Sequence, residues 1–560
     1  MKIFPALALA GLVALAHGAT AQTRRDMVES ADPRAAAIGR DILRAGGSAA
    51  DAAAAMAISL TMLEPQSAGI GGGGFLVYYA ARGKKLAALD GRESAPAAAR
   101  PDRFLDTDGK PLPYQGAMLN GRSIGVPGLL RLLEEMHRRW GKLSWAEIVA
   151  PSVKIAAEGF TLSPRVAKLL AEDSHLADNP APRALYYTAD GTAKPAGAVI
   201  ANPALAETLR TIAADGAGAF YAGPIARDIA AAVAHANPPG DLSAADLAAY
   251  RVKERAVLCR PYRDVRVCGM GLPAGESVVL EILGLLQPFD LAQHAGDTEA
   301  WHLFAAASRL AYADRVRFLG DPDFVKAPVD GLLDRAYLDA RAKLIDPAHF
   351  APGPATAGEP AGQHAELWGD ERPPEFPSTS NISVIDADGN AAAMTVTIDS
   401  DFGSHVIVRG FLLDNELDDF SFVPEDDGRP VANRVEPNKR PLSAMTPTIV
   451  FAKDGAIRLV VGSAGGPPII TDVAKTIVGV VDWHMSLKDA IALPNVDNRN
   501  TGPTEIENFA GAPALAGALQ ALGHQTRIWG RDSGLGGILV TKDGLEGAAD
   551  PRREGAALGD

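Results

Sequence analysis

Cysteine is almost absent from this chain of 560 residues: there are two, Cys259 and Cys268. That excludes thiolate-held zinc or iron–sulfur centres, which take about four such ligands. The eleven histidines lie scattered without ligand spacing, no HExxH occurs, and neither a dinucleotide fingerprint that opens a helix nor a GK[ST] phosphate loop is found. A protein without metal or cofactor is expected. Basic residues are outnumbered, 54 Lys and Arg against 68 Asp and Glu, for a net charge of −14. A nucleic-acid partner needs a basic face to displace counterions, so none is expected. Beyond the first residues no uninterrupted apolar run approaches the ~20 that a membrane span needs, so no span is expected either.

What is present is a globular composition, 47% hydrophobic and 22% charged. The start MKIFPALALAGLVALAHGATAQ has Lys2, an apolar run from Ile3 to Ala16 and the small-residue triplet Ala19-Thr20-Ala21. It reads as a secretory signal over residues 1–21, leaving Gln22 first. In an oxidising compartment a turn at Pro261 to Asp264 would lay the arms of CRPYRDVRVC side by side and allow a Cys259–Cys268 bridge, two free thiols being the alternative. From Ala35 to Leu63 small and apolar residues recur at helical spacing, predicting one buried helix that Pro65 ends. SAGIGGGGFLVYYA then reads as a glycine-dense turn and a strand, Phe75 to Tyr79. Residues 120–347 read as mainly helical, with caps at Ser144 and Ser243 and one interruption at the cysteine hairpin.

Residues 351–378 carry six prolines and read as an exposed, mobile linker. After them the pattern changes to alternating apolar residues around Asp-Gly turns, predicting three hairpins, in NISVIDADGNAAAMTVTID, TPTIVFAKDGAIRLVVGSAG and GGILVTKDGLEGAAD. The stretch TDVAKTIVGVVDWHM between the last two reads as a helix. This order predicts an α+β fold: antiparallel sheets with helices on their faces, two sheet layers between two helix layers (αββα), with a largely helical N-terminal portion. Where linker meets strand the chain reads FPSTSNIS. A threonine hydroxyl is a poor nucleophile, but a threonine at a chain terminus carries an α-amine of pKa about 7.7–8 that can take its proton. Cleavage before Thr379 would therefore place nucleophile and base in one residue.

The chain resembles the gamma-glutamyltransferase (glutathione hydrolase) family of N-terminal-nucleophile hydrolases. The resemblance is carried by GGSAADAAAAMAISLTMLEPQSAGIGGGGFLVYY, DGRESAP, GVPG, AYADR with LGDPDF, TSNISVIDADGNAAAMTVTI, LLDNELDDFS, NKRPLSAMTPTIV, GSAGG and ADPR, from about Ala35 to Arg552. It implies a precursor cut between Ser378 and Thr379 into chains 22–378 and 379–560, which remain together as a heterodimer sharing one core. It implies further that Thr397 orients the Thr379 hydroxyl and that the backbone N–H groups of Gly465 and Gly466 stabilise the oxyanion. The expected substrate is a γ-glutamyl compound such as glutathione, with water or an amino-acid or peptide acceptor, in a bacterial periplasm. Arg92 resembles the clamp for the donor carboxylate, with Ser443 beside it; Glu416 and Asp419 resemble the acids that hold the donor ammonium. Asp418 is expected to face solvent and His405 to serve in packing or at the surface.

Two positions depart from the family pattern. Asp399 stands where Asn is usual and Ser443-Ala444 where two serines are usual, so the pocket gains an acid and loses a hydroxyl. GLPAGES at 271–277 also differs, with no consequence that the sequence supplies. Residues 421–437 occupy the place of a lid and hold no tyrosine, which favours water over other acceptors. The departures keep two other readings open: an acylase of the glutaryl or cephalosporin kind or a poly-γ-glutamate hydrolase on the same fold, and a catalytically silent binding protein.

Overall fold

The computed structural model describes residues 25–362, 368–370 and 378–560. The signal reading at 1–21 and the linker positions 363–367 and 371–377 lie outside the described residues. Two antiparallel sheets dominate. The seven-stranded sheet runs in the order Ala556–Gly559, Met27–Ser30, Ser380–Ile385, Ala391–Thr397, Gly73–Ala80, Lys85–Gly91, Lys253–Arg255. The six-stranded sheet runs Gly544–Ala549, Gly536–Thr541, Ile457–Gly462, Thr448–Ala452, Val265–Met270, Val257–Tyr262. All three Asp-Gly or Lys-Asp-Gly hairpins predicted after residue 378 are formed, as is the helix, over Ile469–Val481.

Side-chain alternation places the seven-stranded sheet between two apolar clusters. Along Gly73–Ala80, Leu76 and Tyr78 pack with the helices Pro33–Arg44, Ala49–Leu63 and Leu129–Trp140. Phe75, Val77 and Tyr79 point the other way, into a cluster shared with Val267, Ile449 and Val461 of the six-stranded sheet and with the helices Glu276–Leu286 and Ile469–Val481. The adjoining strand Ala391–Thr397 alternates in step, with Met394 and Val396 on the first side and Ala391 and Ala393 on the second.

The single helix expected over 35–63 is two. Pro33–Arg44 stops before Gly46, which sits at φ 90°, and Ser48 caps Ala49–Leu63 in a reciprocal pair with Asp51. The left-handed glycine and the capping box are a stop and a start that the apolar periodicity runs through. Every residue of Ala49–Leu63 is buried, and its run of alanines lets it lie close under the sheet. The caps at Ser144 and Ser243 are formed, both as capping boxes. Cys259 and Cys268 are directly opposed on paired strands and bridged. The described parts of 351–378 are tied down: Ala355 N–H donates to Asn500 Oδ1 (2.7 Å), Gly358 N–H to Asp314 Oδ1 (2.6 Å), and Gly369 pairs with the segment at Val431. Residues 421–437 hold a short hairpin, Glu425–Asp426 with Arg429–Pro430. At the sheet edge Arg25 N–H donates to Asp560 O, 3.1 Å. No described helix is long and apolar enough to cross a membrane.

Candidate active site

Thr379 precedes the strand Ser380–Ile385, in the middle of the seven-stranded sheet, and is 5% exposed. Its φ is 96°, a conformation that a β-branched residue adopts only where its surroundings over-determine it. Those surroundings are explicit. Thr379 Oγ1 donates to Thr397 Oγ1 at 3.3 Å, and Thr397 Oγ1 also accepts the Asp399 N–H at 2.7 Å. The Ser378 carbonyl, half of the peptide bond in question, accepts the Gly465 N–H at 2.8 Å. Ser378 Oγ donates to Gln66 O, 2.8 Å, and Arg553 holds the Thr379 carbonyl through Nη1 at 2.9 Å. Gly465 is at φ 122° and Gly466 at φ 71°, conformations that suit glycine and turn the loop toward Ser378. Gly466 lines the cavity beside Thr379, its carbonyl accepting the Ile469 N–H.

The cavity is lined by Arg92, Arg315, Ser378, Thr379, Thr397 and Asp399, and also by Glu416, Asp419, Ser443 and Ala444. It encloses about 30 Å³, room for roughly one water molecule. Its closure has an electrostatic origin: Arg92, 1% exposed, is ion-paired with both Glu416 and Asp419. The residue expected to hold a carboxylate is thus paired with the residues expected to hold an ammonium. Arg92 also donates to Pro441 O and Leu442 O, each at 3.3 Å. Ser443 Oγ accepts the Met445 N–H, 3.2 Å.

Acid crowds the opposite wall. Asp418, expected at the surface, is 1% exposed and accepts from Asn415 Nδ2 at 3.0 Å. ELDD looks like a solvated cluster in sequence, but here it forms one turn whose Leu417 is packed against Phe104 and Phe420, which carries Asp418 inward. Asp399, Asp418 and Asp419 each bring an oxygen within 4.8 Å of the others. Burial, and then the Asp419 charge, push the Asp399 carboxyl up to about 7, while hydrogen bonds from Asp418 and Ser400 oppose the rise. Burial likewise holds Asp418 and Glu416 well above the usual carboxylate range, in Glu416 against the pull of Arg92. Asp399 is at φ 70°, a left-handed conformation that Asp and Asn both tolerate. Ser400 Oγ donates to Asp399 Oδ2 (2.9 Å) and is itself bonded to the Tyr114 hydroxyl (2.8 Å).

Tyr114, Ser400, Arg315 and Arg553 were not singled out from the sequence. ADPR ends at Arg552, which pairs with Glu507 and Asp550; the next residue, Arg553, is the one that reaches Thr379. His405 is buried 3.1 Å from Asp173 and lines no part of this cavity, in keeping with a packing role. A larger cavity of about 900 Å³, lined by residues such as Arg103, Asn120 and Pro239, holds none of the site residues, so chemistry rather than volume marks the site.

Comparison with known proteins places the chain among enzymes of the N-terminal-nucleophile hydrolase type. More narrowly, it belongs to the gamma-glutamyltranspeptidase family, whose model matches residues 35–560. A glutathione hydrolase proenzyme from Bacillus subtilis (strain 168) is 34% identical over 548 residues, 95% of this chain and 91% of that protein. An acylase ACY 1 proenzyme from Pseudomonas sp. (strain SE83) is 32% identical over 549 residues, 95% of this chain and 93% of its own length. Among solved structures, a cephalosporin acylase from Bacillus halodurans aligns with a TM-score of 0.82 at 25% identity, covering 100% of this chain and 98% of that one.

Proposed function

We propose that the chain is a self-processing γ-glutamyl hydrolase and transferase with glutathione-like donors, exported by its 1–21 signal to a bacterial periplasm. The observation that carries the reading is the Gly465 N–H on the Ser378 carbonyl, beside a Thr379 hydroxyl oriented by Thr397. In maturation Thr379 Oγ bonds to the Ser378 carbonyl carbon as the C–N bond breaks and the nitrogen takes the proton. Water then opens the ester, leaving chains 22–378 and 379–560. In turnover the freed Thr379 amine takes the hydroxyl proton, Oγ attacks the γ-carbonyl of the donor, and the oxyanion occupies the place that the Ser378 oxygen holds in the precursor. The leaving amine takes the proton; water or an amino-acid acceptor then attacks the γ-glutamyl ester and restores Thr379.

A donor with both an ammonium and a carboxylate is what the Arg92 pair calls for. Its carboxylate replaces Glu416 and Asp419 at Arg92, and its ammonium takes up the acids that are released. Ser443 completes the carboxylate side. Four layers, helix on sheet on sheet on helix, are the arrangement in which these strands meet. The tyrosine-free lid over 421–437 supports hydrolysis ahead of transfer. Asp399 and Ala444 support a second reading, an acylase with a glutaryl-like donor, in line with the similarity to proteins named as acylases.

The deciding experiment begins with a denaturing gel and N-terminal sequencing of the smaller band, expected to start at Thr379. Turnover of glutathione is then compared with that of a glutaryl amide lacking the α-amine. A single uncut band without turnover would establish a silent binding protein instead, and preference for the glutaryl donor would establish the acylase.

A further inference from the structure

Arg309 lies in the middle of the helix Thr298–Phe318 and is 7% exposed. Arg92, Arg103, Arg341, Arg440 and Arg499 are buried to the same degree, and each is ion-paired with a carboxylate. Arg309 has no such partner among the described residues. Its Nη1 donates to Ala351 O and, at 3.2 Å, to Gly353 O, and its guanidinium lies over the Phe350 ring, 4.0 Å from the centroid. Nε is closed to water and meets no acceptor among the described residues; Nη2 meets none either, but it is not closed off. Carbonyls and a ring face orient a cation without neutralising it.

The surroundings supply no negative charge. Phe350 stacks on His524 at 3.7 Å, and His524 Nε2 is 2.8 Å from His302 Nδ1. Burial, then His302 and Arg309, push the His524 ring down to about 3, so it stays neutral. Burial alone acts on the Arg309 guanidinium, downward, with no carboxylate to oppose it. An arginine is seldom buried without a counter-charge, because an isolated ion out of water is costly. Arg309 borders a cavity of about 290 Å³ lined also by Asn498, Thr501 and Gln525, and no aspartate or glutamate lines it. The Asn498 amide is committed, Nδ2 donating to Gly502 O (3.3 Å) and Thr504 Oγ1 (3.2 Å). The Thr501 hydroxyl and the Gln525 amide, both on exposed residues, bond to none of the described residues. A buried unpaired cation beside free neutral donors suits an anion with several oxygens.

We infer that this cavity is a binding site for a small oxyanion, held by Arg309 Nη2 with the Gln525 amide and the Thr501 hydroxyl as further donors. Guanidinium N–H groups meet separate oxygens of such an ion, which inorganic phosphate, sulfate and small carboxylates all offer. The walls come from both sides of residue 379: Arg309 and residues 350–354 precede it, and 498–502 with 523 and 525 follow it. The anion therefore ties together the two chains that the proposed cleavage yields. No lining residue is shared with the cavity at Thr379. Occupancy is thus read as binding and stability rather than as competition with a donor, and it stands or falls independently of the reaction proposed above.

The purified protein is titrated calorimetrically with inorganic phosphate, sulfate and acetate at an ionic strength fixed with sodium chloride. Saturable binding of one anion per molecule is expected; tighter phosphate or sulfate marks an inorganic ion as the occupant, and tighter acetate a carboxylate. Arg309→Gln should weaken binding at least tenfold, the effect of about one charge-assisted hydrogen bond, and Arg309→Lys should keep part of it. A second variant leaves the helix untouched: Gln525→Glu offers Arg309 a carboxylate of its own, so it should abolish phosphate binding and melt above the parent in phosphate-free buffer. In the parent, each tenfold rise in phosphate above its Kd should raise Tm by about 1–3 °C, and in Gln525→Glu it should not. No saturable binding of any of the three anions, or phosphate binding that Arg309→Gln and Gln525→Glu both leave intact, overturns the site. A rise in Tm that chloride reproduces at equal ionic strength is charge screening and overturns it as well.

Discussion

Asp399 combines the clearest departure from the family pattern with a measurable physical signature. Its carboxyl, raised to about 7 by burial, binds a proton in the folded chain at pH values where the unfolded chain, with a pKa near 3.9, has lost it. Between those values the native state holds more protons, so this residue lowers stability progressively as pH rises from about 4 to 7. Asp399→Asn, which fits the same left-handed backbone and can donate to Asp418, should therefore melt like the parent at pH 4 to 5. At pH 8 it should be more stable by on the order of 2 kcal/mol; equal melting temperatures at both pH values would contradict the assigned burial. The double variant Asp399→Asn, Ala444→Ser should also gain roughly fivefold to a hundredfold in kcat/KM for glutathione, from two bonds of about 0.5–1.5 kcal/mol each, with less gain for a glutaryl amide. Arg92→Ala should cost about 2–5 kcal/mol of transition-state stabilisation with γ-glutamyl donors, because it leaves Glu416 and Asp419 facing each other; unchanged kcat/KM would remove Arg92 from the site. These residues were legible through short motifs that carry their chemistry with them. Tyr114 and Arg553 were not, since each acts across hundreds of residues on an atom that only the fold brings near.

The strand Ser380–Ile385 shows how a secondary-structure element holds the proposed nucleophile, Thr379, in place. Its hairpin with Ala391–Thr397 was readable because Asp-Gly turns and strict alternation are local signals. What alternation does not disclose is why polar Asn381 and Ser383 are buried. Asn381 Nδ2 donates to Glu29 Oε2 at 2.8 Å and to Gly536 O at 3.2 Å, which ties the strand to its neighbour and across to the other sheet two residues from Thr379. Burial keeps the Glu29 carboxyl well above its usual range, and this donor opposes the shift. Asn381→Ala should lower stability by about 1–3 kcal/mol, as expected for orphaning a buried acceptor, read as the urea midpoint, and should slow appearance of the cleaved chains. A variant of parental stability that processes at the parental rate would show that the strand is anchored elsewhere. The misread helix over 35–63 has the opposite lesson: periodicity sees faces and passes over a four-residue break, whereas the Ser48–Asp51 cap marks it.

Both sheets are woven from segments on either side of Thr379. In the larger one, Ser380–Ile385 lies between Met27–Ser30 and Ala391–Thr397; in the smaller, Val265–Met270 pairs with Thr448–Ala452. Neither proposed chain can keep its buried faces alone, so the cut products should co-elute on a sizing column without denaturant and separate only in it. Thr379→Ala should give one uncut chain of the same elution volume and no hydrolase activity; cleavage at 378 in that variant would show that the cut is made by another agent. The mixed helix-and-sheet content was predictable because helical and alternating stretches follow one another in long blocks. The interleaving was not, because strand order across a sheet depends on contacts between segments as distant as Met27 and Gly559.

The bond from Arg25 N–H to Asp560 O means that the two ends of the described fold meet at one edge of the sheet, far along the chain from residue 379. A short bridge from 560 to 25 would let the gene be rearranged to begin at Thr379 and finish at Ser378, without disturbing any strand pairing. After removal of an initiator methionine, such a circular permutant would possess the terminal amine from birth. It would need no scission to become active, and the chemistry of maturation could be studied apart from the chemistry of turnover.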